Sequence, residues 1–251
     1  MLVMPNADPE KPRAALFRAR DDAASGAARL RRLGFAVARL PAIEIVALAF
    51  TPKRKRYDAV VAASDKAFLA DASVDRASPL YVVGARTARA AEARGWRLAA
   101  PPAPDSRRLV ELLNCAVPRG AAVLYLAGRD RKPAIEAALA NAATLELAEV
   151  YAAEARQSWR PSEIRALEAC AFGLHYSRRS AALAAELAKA GGAAARFRLM
   201  THVCLSNDVA EPLLASGVAC VRVAARPDEA ALFATLRHAA SVFSSQDPSR
   251  I

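Results

Sequence analysis

Short apolar runs that alternate with alanine- and leucine-rich stretches of helical period leave this chain few architectures. AALF (14–17), FAVARL (35–40), YDAVVAA (57–63), LYVV (80–83), AVLYLA (122–127), LELAEVYAA (145–153), AFGLHY (171–176), THVCLS (201–206) and VACVRVA (218–224) read as strands. Between them lie helical stripes. Ala23, Ala27 and Leu30 stand at i, i+4 and i+7, with Gly34 at the C-cap. Leu183 and Leu187 with Ala184 and Ala188 form another stripe, ended by Gly191 and Gly192. Such alternation predicts α/β layering around largely parallel sheets. A chain of 251 residues suffices for one large domain or two small ones.

An internal echo favours two. YDAVVAASDKAFLA places Ser64 where a strand gives way to a helix, and CAFGLHYSRRSAALAAELA places Ser177 likewise, 113 positions later. VVGARTARAAEARGWRLAA and VCLSNDVAEPLLASGVACVRVAA align 122 positions apart, Gly95 with Gly217. The halves are not consecutive. VARLPAIEI (37–45) and LELAEVYAAEA (145–155) flank the middle block and read as crossing linker strands. Residues 1–38 then join 155–251 as a discontinuous first domain, and 45–146 form an inserted second one. Ligands of open α/β sheets sit outside the carboxyl ends of the strands, so a cleft between two such sheets is the expected site.

Composition removes several functions. No apolar run is long enough for a membrane span, and MLVMPNADPEKPR lacks the apolar core of a signal peptide, so the cytoplasm is expected. Cys115, Cys170, Cys204 and Cys220 make no CxxC pair, and His175, His202 and His238 show no metal-ligand spacing. No metal site is therefore expected. The absence of GxGxxG and of a Walker loop removes a nucleotide. Net charge is +11, with 36 Lys and Arg against 25 Asp and Glu, which suits either a polyanionic partner or an arginine-rich solvated surface. Arginines spread along the chain and only 6% aromatic residues argue against nucleic acid.

The stretch PLYVVGARTARAAEARG (79–95) carries a strand into a helix through Gly84, Ala85 and Arg86, with Thr87 expected at the helix start. Thr87 either caps the helix or helps its free N–H groups receive an anion. Together with RARDDAASGAARLRRLGFAVARLPAIEI (18–45), DAVVAAS (58–64), VLYLAGRDRKPAIEAALA (123–140), EVYAAEA (149–155), LHYSRRSAALAAEL (174–187) and CLSNDVAEPLLASG (204–217), it makes the chain resemble uroporphyrinogen-III synthases. The resemblance implies an α/β fold of two flavodoxin-like domains with parallel sheets, joined by a two-stranded linker, and an active-site cleft between them. It implies cyclisation of the linear tetrapyrrole hydroxymethylbilane, with loss of water and inversion of ring D through a spiro intermediate. It also implies a cofactor-free carbon–oxygen lyase of haem biosynthesis, monomeric, independent of nucleic acid and membrane. The substrate would arrive by transient handover from hydroxymethylbilane synthase. A binding protein for an anionic metabolite, derived from such an enzyme by loss of catalysis, is the alternative.

Residue by residue, Tyr151 aligns with the family tyrosine after the linker strand, as general acid towards the departing hydroxyl or as a packing residue between domains. Gly84, Arg86, Thr87 and Ala88 match the family's Gly-x-x-Thr-Ala turn. Ser64 and Ser177 begin helices with the same double reading of cap and ligand contact. Arg18 aligns with the Arg after the first strand, although Phe17 and Ala19 replace the usual Thr and Pro around it. Gly128 and Arg129, with Arg131 and Lys132, form a basic turn that grips a propionate or simply starts a helix. Arg178 follows Ser177, and Ser206 and Asn207 occupy the matching turn near the C-terminus, where Asp208 is expected to face away from an anion. Trp96 and Trp159 pack or lie at the surface.

Overall fold

The computed structural model describes residues 11–245 apart from 71–72 and 141. The segment 1–10, expected to be no leader, and the end of the tail from 246, expected to be loose, lie outside the described residues.

The chain opens with β1 (Arg13–Phe17), α1 (Arg20–Arg32) and β2 (Ala36–Arg39). Then follow β3 (Ile43–Ala47), β4 (Ala59–Ala62), β5 (Leu80–Val82), α2 (Gly84–Glu92), α3 (Ser106–Ala116), β6 (Ala122–Gly128), α4 (Ala134–Leu139) and β7 (Thr144–Ala155). The last part runs through α5 (Pro161–Glu168), β8 (Phe172–His175), α6 (Arg178–Ala190), α7 (Ala194–Leu199), β9 (Thr201–Cys204), α8 (Asn207–Ala215), β10 (Cys220–Val223) and α9 (Glu229–Ser245). Two compact units result, Met1–Glu44 with Ala155–Ile251, and Ile45–Glu154. VARLPAIEI contributes β2 to one sheet and β3 to the other, broken at Leu40–Ala42 around Pro41, which has no N–H for a ladder.

The first unit's sheet has the order β10-β9-β8-β1-β2, and the second unit's is β3-β7-β6-β4-β5. Counted from β1 in the first sheet and from β4 in the second, both contain the order 2-1-3-4 of a doubly wound sheet, with parallel pairing across β2-β1-β8-β9-β10 and β5-β4-β6-β7. The fifth position differs: β10 fills it in one unit and β3 in the other. Strands buried on both faces explain the near-continuous apolar runs. In β1, Ala15 and Phe17 face Trp159, Phe197 and α6, while Ala14 and Leu16 face α1 and α9. In β4, Val60 and Ala62 pack towards Ala88, Ala91 and Trp96, and Ala59 and Val61 towards Leu109 and Leu113.

Three sequence expectations change. The helix expected from Thr87 begins at Gly84, whose φ of +76° is a left-handed conformation open to glycine, so Thr87 is buried within the helix and caps nothing. Ser64 starts a single 3-10 turn, Asp65–Phe68, where a full helix was expected. The sequence echo pairs positions that differ in the sheet: Ser64 follows a first strand, β4, and Ser177 follows a third strand, β8. Their shared backbone (φ/ψ −147°/144° and −148°/147°) reflects a common way of leaving a strand.

Candidate functional site

In a doubly wound sheet the first and third strands diverge towards opposite sides, leaving a crevice at their carboxyl ends. In the second unit these strands are β4 and β6. There lies a cavity of about 240 Å³, whose lining includes Ser64, Gly128, Tyr151, Tyr125, Ser106 and Lys132. The β6–β7 ladder shifts register between Ala127 and Gly128, bringing Gly128 opposite Tyr151. A Cβ on Gly128 would stand 2.6 Å from Tyr151 Cζ and 2.8 Å from its hydroxyl oxygen. Gly128 is therefore needed for close approach: the Tyr151 ring lies against bare backbone.

The basic turn after β6 is largely committed to itself. Arg131 donates to Glu136 Oε1 (2.5 Å), Glu149 Oε1 (2.9 Å), and the carbonyls of Gly128 (2.8 Å) and Arg129 (3.2 Å). This clamp fixes the loop beside the cavity, and the hydrogen bond from Arg131 chiefly holds the Glu149 carboxyl below its usual pKa. Arg129 lies near Glu149 (3.5 Å) and Glu154 (3.8 Å), so its charge is shared with carboxylates. Lys132 makes no ion pair with a described residue. Tyr125 is buried, and burial pushes its hydroxyl up to about 12, so it is a neutral donor near pH 7.

The Gly84 turn stands apart from this lining. Gly84 N–H already donates to Ala103 O (2.8 Å), Thr87 and Ala88 are buried, and Arg86 Nε pairs with Asp65 at 2.7 Å. Ser64 Oγ accepts from Lys66 N (3.3 Å) and donates to Asp65 Oδ1 (3.4 Å).

The first unit's corresponding strands are β1 and β8. Arg18 lies over the Tyr176 ring, 4.6 Å from guanidinium carbon to centroid, and its Nη1 is 3.4 Å from Glu229 Oε1. Arg29 (2.5 Å) and the Tyr176 hydroxyl (3.2 Å) donate to the same carboxylate. Ser177 accepts from Ser180 N (3.3 Å) and caps α6, while Ser180 Oγ donates to Phe17 O (2.9 Å). Ser206 and Asn207 begin α8, where Ser206 makes no side-chain cap bond. Arg178 pairs with Asp208 (3.0 Å) and Glu211, so its charge is balanced and Asp208 is turned onto it.

The structure thus gathers Ser64, Gly128 and Tyr151 around one cavity. Sequence reasoning missed Tyr125 and Ser106: the first reads as filler in an apolar strand, the second as an ordinary helix start. It also missed that His175 and His202 meet in the core, 2.8 Å apart. Among the described residues no group of three His, Cys, Asp or Glu side chains gathers to hold a metal ion, and no helix is long and apolar enough to cross a membrane.

Comparison with known proteins follows the same line. A family model described as Uroporphyrinogen-III synthase HemD matches residues 25–234. A uroporphyrinogen-III synthetase structure from Helicobacter pylori is similar at 17% identity and TM-score 0.52, covering 81% of this chain and 92% of that one. A Thermus thermophilus uroporphyrinogen III synthase is similar at 17% identity and TM-score 0.40, covering 91% and 99%. No curated protein sequence matches. With the model spanning most of its length, the chain belongs to the uroporphyrinogen-III synthase family.

Proposed function

We propose that this chain cyclises hydroxymethylbilane to uroporphyrinogen III as a cofactor-independent carbon–oxygen lyase. The family match over residues 25–234 carries the reading, and Tyr151 beside the second unit's cavity supports it. The substrate's hydroxymethyl carbon is bonded to an electron-rich pyrrole. Tyr151 donates its hydroxyl proton to the departing oxygen, the C–O bond breaks with the electron pair leaving on water, and the pyrrole nitrogen stabilises the cation. Attack by the substituted α-carbon of ring D closes a spiro intermediate. Reopening and reclosure invert the ring, and loss of the α-proton restores aromaticity.

Eight carboxylates on the substrate call for donors rather than a metal. Ser64 and the loop after Gly128 are the second unit's contacts in this reading. Arg18, Ser177 and the turn at Ser206–Asn207 are the first unit's. Arg86, Arg129 and Arg178 would have to exchange a protein carboxylate for one from the substrate, and Gly84, Thr87 and Ala88 act by shaping their helix. The enzyme works as a cytoplasmic monomer receiving its unstable substrate directly from the synthase that makes it.

The test is to supply fresh hydroxymethylbilane, oxidise the products and resolve the isomers. Isomer III in excess over spontaneous isomer I is expected; isomer I alone defeats the reading. Tyr151→Phe should lower kcat by about 100-fold, the low end for a positioned acid, with the fold intact by circular dichroism. An undiminished kcat removes Tyr151 as the donor.

A further inference from the structure

We propose that the Tyr125 hydroxyl, with the Lys132 ammonium, recognises one carboxylate arm of the substrate inside the second unit's cavity. The inference deepens the synthase reading and rests on it. It begins with an unpaired group. Tyr125 is only 4% exposed, its ring packed in the cluster that holds Val61, Ala127 and Ile135. A hydroxyl buried with its ring normally finds a partner. Tyr57, buried to a similar degree, donates to Glu146 at 2.7 Å. The Tyr125 hydroxyl makes no hydrogen bond to a described residue, nor is it sealed from solvent; the ring is walled in by core, and the residue lines the cavity. The cavity is where its bond is to be made.

The other lining groups say to what. Arg131 is saturated by two carboxylates and two carbonyls. Ser64 is engaged with Asp65 and Lys66 N. Beside Tyr151, assigned above to the acid role, Tyr125, Ser106 and Lys132 line the cavity and are uncommitted to any described residue. These are two hydroxyls and a cation, a set that matches an anion with several lone pairs. A tyrosine hydroxyl is protonated near neutral pH, and burial raises this one further, so it is a donor. A space of about 240 Å³ fits a side arm rather than a tetrapyrrole. On this chemistry the chain distinguishes substrates by whether the arm ends in a carboxylate.

Wild type, Tyr125→Phe, Lys132→Gln and the double variant would be compared by KM for hydroxymethylbilane, by isomer ratio, and by fluorescence titration with uroporphyrin III, a stable octacarboxylate. Losing one hydrogen bond to a charged group should raise KM and the uroporphyrin Kd about 10-fold in Tyr125→Phe, with kcat within about 3-fold and an unchanged melting temperature. Lys132→Gln should do the same, and the double variant less than the product of the two, because both hold one carboxylate. Unchanged Kd and KM in Tyr125→Phe overturns the inference, as does a fully multiplicative double variant. Lys132 is exposed, so its variant still reports should Tyr125→Phe fold poorly. If wild type binds uroporphyrin III yet yields only isomer I, the synthase reading fails and the Kd comparison still decides on Tyr125. If it does neither, both fall.

Discussion

At the junction of β1 and β8 the Arg18 guanidinium covers the Tyr176 ring and Glu229 ties both to Arg29, whereas at the junction of β4 and β6 the equivalent space is a cavity. The two sheets share the order 2-1-3-4, so Arg18 and Ala63 hold the same place after a first strand; the register sets Tyr176 level with Arg18 and Ala127 level with Ala63, with Gly128 one residue further on. What differs is side-chain bulk. An Arg and a Tyr fill one crevice with a polar plug. Two alanines leave the other open, and Tyr151 enters from the neighbouring strand across the missing Cβ of Gly128. One backbone arrangement therefore closes into a filled joint in one unit and opens into a cavity in the other.

The largest effect should come from closing the open junction. In Gly128→Ala the new methyl would stand 2.6 Å from Tyr151 Cζ, and no left-handed φ is involved, so the cost is purely steric. The ring must move, at about 1–3 kcal/mol of overpacking, which thermal unfolding would register. If Tyr151 is the acid, isomer III formation should fall by about 100-fold or more, matching Tyr151→Phe. A Gly128→Ala enzyme with full rate would show that the ring's seat is not what the reaction needs.

That seat was half legible in the sequence. The strands were, because buried parallel strands read as continuous apolar runs, and LYVV and AVLYLA allow little else. Tyr151 was found only through family resemblance; nothing in EVYAAEA by itself distinguishes it from a packing residue. The close approach of Gly128 to Tyr151 was invisible, since it depends on a ladder shift beside a residue 23 positions away. Thr87 was misplaced because Gly84 lets the helix start three residues earlier than the capping pattern suggests. Glu229 stayed hidden, as its partner Arg18 lies 211 positions back and no local spacing carries such a contact.

A second prediction separates the units by acid. All three histidines, His175, His202 and His238, belong to the first unit. His202 Nε2 meets the Phe197 carbonyl at 2.7 Å and must carry a proton there, so its Nδ1 accepts from His175 Nε2. His175 Nδ1 is then a buried acceptor without a partner, against the Phe17 ring at 4.7 Å between centroids. Burial first, and for His175 also the neighbouring ring, holds His175 well below its usual value and His202 at about 4. The folded state thus binds fewer protons than the unfolded one between about pH 6.5 and 4, and stability falls as pH drops through that window. By pH 5.5 His202 alone should remove about 1.4 kcal/mol. Trp159, stacked on Phe17, reports the first unit, and Trp96 the second. Fluorescence of single-tryptophan variants should show Trp159 losing its environment at higher pH than Trp96. Coincident transitions would mean that the histidine pair does not set the first unit's acid limit.

The smallest effect tests whether the filled junction is only a plug. Glu229 is one-fifth exposed, but Arg18 and Arg29 are more open, at 35% and 44%, so solvent screens much of the attraction. Glu229→Gln should cost only about 1 kcal/mol, read as a small drop in unfolding midpoint, because the amide can still accept from Tyr176. The change does more to Arg18. Stripped of its carboxylate yet still resting on the Tyr176 ring, the guanidinium becomes an unbalanced charge at a strand end, the place where this fold receives ligands. If Arg18 contacts the polycarboxylate substrate, Glu229→Gln should lower KM by about 2- to 3-fold, with steeper weakening by salt than in wild type. An unchanged KM with the same loss of stability would assign Arg18 wholly to the plug and leave substrate recognition to the open junction.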